Sequence, residues 1–236
     1  MPGKKKKNSR RPPCPDPELY IWVETKEGGY WRRKRSKDTP LNRSLAANAS
    51  ATKIVSPVVK RIRDTLEEYT RKLDMARVQG RLSGLLRKAY IEKSKIDFSA
   101  LRGFEFQEDY PLEQLLLTQY QVNKGADFIE LLIRVKDGVV KKQNNLVTDF
   151  YFEGILLYGD PLTDRSFKVE YVVSKPYPFK NNATDDCKLI LPMPQNNEPW
   201  MLMLKISCLE GNEMASHVKH YGMRVVEVGG VNIHPN

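Results

Sequence analysis

Two pairs of acidic residues stand at a spacing that could serve acid–base chemistry: Asp149 with Glu153, and Asp160 with Asp164. Glycoside hydrolysis uses two carboxylates whose surroundings separate their pKa values. The flanking residues give no sign of the burial that this separation requires, and carboxylates on exposed loops are common. We therefore interpret both pairs as solvated side chains and predict no catalytic residue.

Residues that could bind a metal are equally sparse. His217 and His220 are three apart, which places two imidazoles on one face of a helix, but no ligand pair accompanies them. We interpret this stretch as a polar loop between two strands and predict no metal site. Cys14, Cys187 and Cys208 form no CxxC pair. Cys187 and Cys208 could meet across two strands, but without a signal peptide we predict reduced thiols.

Several function classes are excluded by what the sequence lacks. It has no glycine-rich phosphate loop, no GxSxG elbow and no HExxH helix. No apolar run approaches the roughly 20 residues that span a bilayer. No apolar segment follows the N-terminal charges, so we expect no secretory signal. We expect a protein that is not an enzyme and has no cofactor, located in the cytoplasm or within an assembled particle or filament.

Cations interleaved with aromatic rings are the residues that could bind a partner. Rings stack on bases, cations neutralise phosphates, and both residue types anchor protein interfaces. The alternative is an edge strand and a solvated helix face, whose charges discourage aggregation. The candidate interaction residues are Trp22, Tyr30, Trp31, Arg32, Arg33, Lys34 and Arg35, followed by Arg61, Arg71, Arg77, Arg81 and Arg87.

The first elements of the chain are a tail, a hairpin and two helices. Residues 1–18 are rich in Lys, Arg and Pro, which predicts a disordered basic tail. Residues 19–35 predict a β-hairpin around Glu27-Gly28-Gly29, because glycine supplies the positive φ of tight turns. Apolar residues at intervals of three and four predict two amphipathic helices between residues 44 and 95. Pro57 allows either a separate short helix over 44–55 or one helix kinked at the proline.

Beyond residue 96 the apolar period changes to that of strands. Seven strands are predicted near 112–122, 128–136, 146–158, 166–175, 187–193, 200–209 and 221–233. Short strands with turns at regular intervals indicate an antiparallel seven-stranded β-sandwich of immunoglobulin-like type. Trp200 to Leu204 is apolar throughout, which predicts a central strand buried on both faces or a strand at a subunit contact.

The predicted fold class is therefore α+β, and charge divides the chain. We expect a tail over 1–18, a hairpin with basic helices over 19–95, a linker over 96–110 and a sandwich domain over 111–236. The net charge of +10 is the sum of +8 for residues 1–44, +7 for 45–95 and −5 for 96–236. Such asymmetry indicates a polyanionic partner or contact between copies of the chain.

Short motifs in this order resemble a family of uncharacterised bacterial proteins. They are the Gly-turn hairpin over 24–31, the start at Asn42-Arg43, the segment Ile62 to Leu66, the link Gly103 to Phe106 and the late strand Trp200 to Ile206. The resemblance covers most of the chain beyond residue 18. It implies an N-terminal hairpin, a basic helical region and a C-terminal immunoglobulin-like sandwich, with no signal peptide and no catalytic residues.

Two functional hypotheses follow. The first is a non-enzymatic structural or assembly protein that self-associates, the basic helical region of one copy meeting the acidic sandwich of another. Contact between different surfaces makes rings or filaments. The second is a nucleic-acid-binding protein that uses the tail, hairpin and helices, and binds mainly to phosphates.

Overall fold

The computed structural model describes residues 12–25, 28–34, 43–163, 166–180, 185–195 and 198–230. The chain divides into two compact units, residues 1–46 and residues 47–236. The first unit contains the hairpin, and the second contains both helix-rich and strand-rich parts of the chain. The first helix begins in the first unit and continues into the second.

The hairpin lies where the sequence predicts it. Strand β1 (Tyr20–Thr25) pairs antiparallel with β2 (Gly28–Arg33), and Trp22 lies opposite Trp31. Gly28 has a φ of 137°, which a residue with a Cβ rarely adopts. The turn position therefore needs glycine, as the Gly-Gly pair predicts.

Helix α1 (Arg43–Thr70) is continuous through Pro57, so the alternative of a separate short helix over 44–55 is wrong. Helix α2 spans Val78–Lys93. Each buries one apolar stripe, as the periodicity predicts. The buried residues are Ala51, Val55, Val58, Val59, Ile62 and Leu66 on α1, and Val78, Leu82, Leu86 and Ala89 on α2.

The remaining elements are mostly strands. After a short 3₁₀ helix (Phe98–Leu101), the one-turn helix α3 occupies Leu112–Leu115, where the first strand of the sandwich was predicted to start. A second 3₁₀ turn covers Val218–His220. The strands are β3 (Tyr120–Lys124), β4 (Phe128–Val135), β5 (Asp149–Tyr158), β6 (Lys168–Val173), β7 (Tyr177–Pro178), β8 (Asp185–Pro192), β9 (Trp200–Glu210), β10 (Glu213–Met214) and β11 (Tyr221–Gly229).

The strands of the second unit form two antiparallel sheets. The larger has six strands, with β6 and β7 on one side of β5, then β9, and then β10 and β11. The smaller has the order β3-β4-β8. These sheets and the three α-helices of the described residues confirm the α+β class.

Strand β9 is the centre of this unit. Nine consecutive residues from Trp200 to Cys208 are buried, so the prediction of a central strand buried on both faces is confirmed. One face of the larger sheet lies against the smaller sheet. There Gly154 of β5 packs so close to Leu191 of β8 that a Cβ added to the glycine would lie 3.2 Å from Leu191 Cδ1. On the other face, the ring of Tyr69 on α1 lies 5.3 Å from that of Tyr171 on β6. Because side chains alternate along a strand, the larger sheet is covered by the smaller sheet on one side and by helices on the other.

One apolar cluster joins the helices, the strands and the stretch between them. The stretch expected to be a linker, residues 96–110, contributes Ile96, Phe98, Leu101, Phe104 and Phe106 to it.

All three cysteines are free thiols, and Cys187 and Cys208 are buried on strands of different sheets.

Candidate functional site

The hairpin carries a pair of tryptophans in edge-to-face contact. The ring centroids of Trp22 and Trp31 are 5.1 Å apart with an interplanar angle of 69°. The Trp22 ring lies over Gly29, where an added Cβ would come within 2.2 Å of a ring carbon. Gly29 therefore makes room for the ring. The structure brings together two of the predicted interaction residues, on one face of the hairpin.

The segment before β1 is hydrogen-bonded to the hairpin. The Trp31 indole N–H donates to the carbonyl of Pro12 at 2.9 Å, and Lys34 Nζ donates to the carbonyl of Pro17 at 2.8 Å. Residues 12–18 belong to the stretch predicted as a disordered tail. In the structure, the Pro12 and Pro17 carbonyls of this stretch accept hydrogen bonds from hairpin side chains, which the two strands alone could not provide.

The hairpin exposes both apolar side chains and charge. Tyr30 is 52% exposed and Ile21 is 37% exposed. Arg32, Arg33 and Lys34 are exposed and form no ion pair with any residue that the structure describes. Arg35 lies outside the described residues. The exposed surface therefore combines the aromatic and cationic chemistry that the sequence predicts there.

The predicted helix cations differ in their surroundings. The guanidinium of Arg61 donates a hydrogen bond to the carbonyl of Pro161, 100 residues further along the chain. Arg81 lies over the Phe104 ring, 4.7 Å from its centroid. The exposed Arg77 approaches Glu108 only to 3.9 Å. Among the described residues, Arg71 and Arg87 form no ion pair. The five arginines thus do not form one recognition surface.

Arg77 and Arg81 border an open pocket of about 110 Å³ beside the start of α2. Asp74, Glu108 and Asp109 also line it, so its lining carries charges of both signs. Arg77 has a φ of 122°, an uncommon backbone conformation for a residue with a side chain. Gln107 closes the inner side, donating from Nε2 to the carbonyl of Tyr221 at 2.6 Å. A mixed lining of this kind selects no single class of charged ligand.

A buried ion pair that the sequence analysis missed lies on the helix-facing side of the larger sheet. Lys205 Nζ is 3.0 Å from Glu153 Oε1, and their side chains are 7% and 4% exposed. The hydroxyls of Ser207 and Tyr171 also donate to the Glu153 carboxylate. Burial and the nearby Glu153 carboxylate raise the pKa of Tyr171, which keeps its hydroxyl protonated as a donor.

This arrangement corrects the sequence interpretation of Glu153. Asp149 and Glu153 were interpreted as solvated side chains, but Glu153 is buried on β5 and is neutralised by Lys205. The register of β5 with β9 places Glu153 directly opposite Lys205. Ser207 is fully buried, so no substrate reaches its hydroxyl. The cluster satisfies polar groups within the fold, and we assign it no reaction.

A second group of charges surrounds Arg224 on β11. Its Nη1 lies 3.0 Å from Glu113 Oε2 and 3.6 Å from Glu105 Oε1. Glu105 Oε2 accepts the N–H of Leu112 at 2.9 Å. Burial raises the pKa of Glu105 to about 7, because the guanidinium lies closer to Glu113 and compensates Glu105 only partly.

The histidine stretch also differs from its interpretation as a polar loop. His220 ends a 3₁₀ turn and is fully buried, and its Nε2 lies 3.3 Å from Asn144 Nδ2. Burial lowers the pKa of His220, which favours the neutral ring. Within the described ranges, no three His, Cys, Asp or Glu side chains gather as a metal site requires.

Comparison with known proteins finds no matching family, no matching curated protein and no matching solved structure. The resemblance to bacterial proteins therefore stays a prediction. Among the helices in the described part of the chain, none has both the length and the apolar character of a bilayer span.

Proposed function

We propose that this chain is a non-enzymatic structural or assembly protein that self-associates. The observation that carries the proposal is the hairpin, a two-stranded ribbon in a unit of its own with exposed aromatic and cationic side chains. An isolated two-stranded hairpin is marginally stable in water and gains stability by packing on another surface. Contact between this basic element and the acidic strand-rich region of another copy is heterologous and propagates into a ring or a filament.

The helix cations support the same proposal. Exposed charges without a partner cost little in water and set the approach rate and register of a charged partner. Among the described residues, the cations on or next to the helices that form no ion pair are Lys53, Lys60, Arg71, Lys72, Arg81, Arg87, Lys88 and Lys95.

Sedimentation velocity at low and high salt tests self-association. At high micromolar concentration and low salt we expect species larger than the monomer, and we expect raised salt to dissociate them because it screens the charges. A triple change of Arg32, Arg33 and Lys34 to Ser weakens association, whereas the control Lys136→Ser, an exposed cation on a strand-region loop, leaves it unchanged. A strictly monomeric wild-type protein under these conditions overturns the proposal.

A second candidate function is nucleic-acid binding, and one observation favours it. Many carboxylates of the strand-rich region already pair with cations of the same subunit, which leaves fewer of them for a second copy. Those in ion pairs are Asp97, Glu105, Glu108, Glu113, Glu153, Asp185, Asp186, Glu198 and Glu227. Unpaired cations at the helices, next to strands whose carboxylates are partly paired already, suit an external polyanion.

Titration of fluorescent single-stranded and double-stranded oligonucleotides tests the second candidate. We expect affinity that falls steeply as salt rises, since each neutralised phosphate releases a counterion. A flat, weak response to DNA and RNA at about 50 mM salt removes this candidate and leaves self-association unaffected.

We also propose that the two sheets of the second unit form a seven-stranded immunoglobulin-like sandwich. The seven longer strands support this, with the order β3-β4-β8 in one sheet and β6-β5-β9-β11 in the other. Immunoglobulin-like sandwiches place their first, second and fifth strands in one sheet and their third, sixth and seventh in the other. Here the fourth strand, β6, joins the latter sheet. An experimental structure with a different strand order would contradict the proposal.

A further inference from the structure

Strand β6 leaves one edge of the larger sheet unpaired. The N–H of Ser174 donates to the carbonyl of Phe152 at 2.9 Å, so in this ladder the even-numbered residues of β6 face β5. The main-chain groups of Val169, Tyr171 and Val173 therefore point outward. No hydrogen bond among the described residues uses them. An exposed row of this kind is a template for pairing with a further strand.

The side chains at this edge form an aromatic surface with acidic neighbours. Tyr171 is 44% exposed and Val173 is 48% exposed, although both point to the face that the helices cover. Tyr69 of α1 packs against Tyr171 and extends the surface. Glu68 precedes Tyr69 on α1, and Glu170 precedes Tyr171 on β6 and accepts the Tyr158 hydroxyl at 3.3 Å. Burial raises the pKa of Tyr69, and these two carboxylates raise it further. A strand that carries aromatic rings and cations suits this edge.

Strand β2 has that composition and also has an unpaired edge. The N–H of Lys34 donates to the carbonyl of Leu19, so the odd-numbered residues of β2 direct their main-chain groups away from β1. These are Gly29, Trp31 and Arg33, and no described residue pairs with their main-chain groups. The strand also carries Tyr30 and Arg32, both exposed.

We propose that β2 of one copy adds to the β6 edge of a second copy by β-strand addition. Main-chain hydrogen bonds supply affinity, and pairing of Arg32 or Arg33 with Glu170 selects the partner. The inference rests on the proposed self-association and names the two strands that meet. Because the donor and acceptor edges differ, each copy uses one of each, and the contact repeats along an open chain or closes into a ring.

Proline substitution at outward-facing positions separates pairing from folding. Val173→Pro removes an outward donor from the acceptor edge, and Arg33→Pro removes one from the donor edge. Proline is tolerated at edge positions whose N–H faces solvent, so the ladders to β5 and β1 persist. Val173→Thr, which keeps the N–H, is the matched control. We expect each proline variant to weaken self-association at least about tenfold and the control to retain it.

Mixing the two proline variants gives the decisive measurement. Each variant alone is expected to be monomeric at concentrations where the wild type assembles, and their mixture is expected to form a dimer through the one intact donor and the one intact acceptor. Thermal unfolding of each variant shows whether it remains folded. Assembly of Val173→Pro at wild-type strength overturns the strand pairing while self-association stands. A monomeric wild type overturns self-association itself.

Discussion

At the scale of single residues, burial separates two kinds of charge in the second unit. Glu153 and Lys205 are inside the fold, and each is satisfied by the other and by hydroxyl donors. Arg71 follows the last residue of α1 and Arg87 lies on α2, and neither forms an ion pair with described residues. The first kind stabilises the fold only while both charges of the pair are present, whereas the second has no ion-pair partner among the described residues.

The buried pair gives a stability prediction. Lys205→Met leaves the Glu153 carboxylate buried beside two hydroxyl donors without its cation, so we expect a loss of about 3–5 kcal/mol in unfolding free energy. In the double variant Lys205→Met with Glu153→Gln, the unpaired carboxylate is gone, and we expect most of the lost stability to return. Urea unfolding of the wild type, the single variant and the double variant, followed by circular dichroism, measures both changes. A Lys205→Met protein within about 1 kcal/mol of wild type contradicts the prediction.

Glu105 gives a prediction about pH. Its pKa is raised from 4.5 to about 7 in the folded protein, so folding favours its protonated form. Its contribution to stability is fully present below about pH 4.5 and is lost as pH rises through 7. We expect Glu105→Gln, which keeps an acceptor for the Leu112 N–H, to gain about 1–3 kcal/mol relative to wild type between pH 5 and pH 8.

The measurement for Glu105 is urea unfolding of both proteins at half-unit pH steps. Glu113→Gln is the control, because Glu113 is largely exposed and also contacts Arg224. Parallel stability curves for wild type and Glu105→Gln across this pH range contradict the prediction.

At the scale of elements, α2 contains two glycines whose positions demand no glycine. A Cβ at Gly80 or Gly84 would meet nothing within 4 Å, and neither has a positive φ. The glycines therefore do not mark a close crossing of α2 with another described element. In a helix they cost stability, because glycine loses more backbone freedom on folding than alanine does.

The glycines of α2 allow a test with a matched control. We expect Gly80→Ala and Gly84→Ala each to raise the unfolding free energy by about 0.5–1 kcal/mol. Gly138 also has open space for a Cβ, but its φ is +69°, so Gly138→Ala is expected to destabilise the protein. Thermal unfolding of the three variants checks both signs. A destabilised Gly84→Ala would show that an unseen contact occupies that face.

At the scale of the whole molecule, the two units differ in what stabilises them. The second has an apolar cluster whose first member is Val55, and no described residue of the first unit belongs to that cluster. The hairpin has one tryptophan pair and two hydrogen bonds to the preceding segment. The buried apolar side chains of the described structure therefore lie in the second unit, while the hairpin of the first exposes aromatic and cationic side chains.

This division predicts the effect of removing the first unit. We expect a protein consisting of residues 47–236 to unfold cooperatively within about 4 °C of the full chain, because its apolar cluster is complete. We expect the same protein to lose self-association, because it lacks the hairpin. Differential scanning calorimetry and sedimentation velocity measure the two properties. A shortened protein that assembles as the full chain does would place the contact elsewhere.

Most elements were predictable because their signals are local. Gly28 and Gly29 indicated the hairpin turn, and the apolar spacing along α1 and α2 indicated their buried faces. The strand predicted over 112–122 failed in its first half, where Leu112–Leu115 forms a helical turn after Pro111. A short apolar run carries no period that separates a strand from a buried helical turn.

The candidate site was only partly predictable. Trp22, Tyr30 and the basic residues after them were expected to lie together, since neighbours in a hairpin are neighbours in sequence. Glu153 and Lys205 are 52 residues apart, and their pairing depends on the register of β5 with β9. The period of apolar residues describes one element at a time, so it cannot predict which residues of two distant strands lie opposite each other.

By itself, the sequence determined the types and order of most elements, the buried stripes of α1 and α2 and the concentration of positive charge near the N-terminus. These properties depend on side-chain chemistry and short-range geometry. Tertiary structure alone decided which charges are neutralised, that α1 continues through Pro57, and that β6 has an open edge. The physical reason is that neutralisation, burial and edge exposure are set by contacts between residues far apart in the chain.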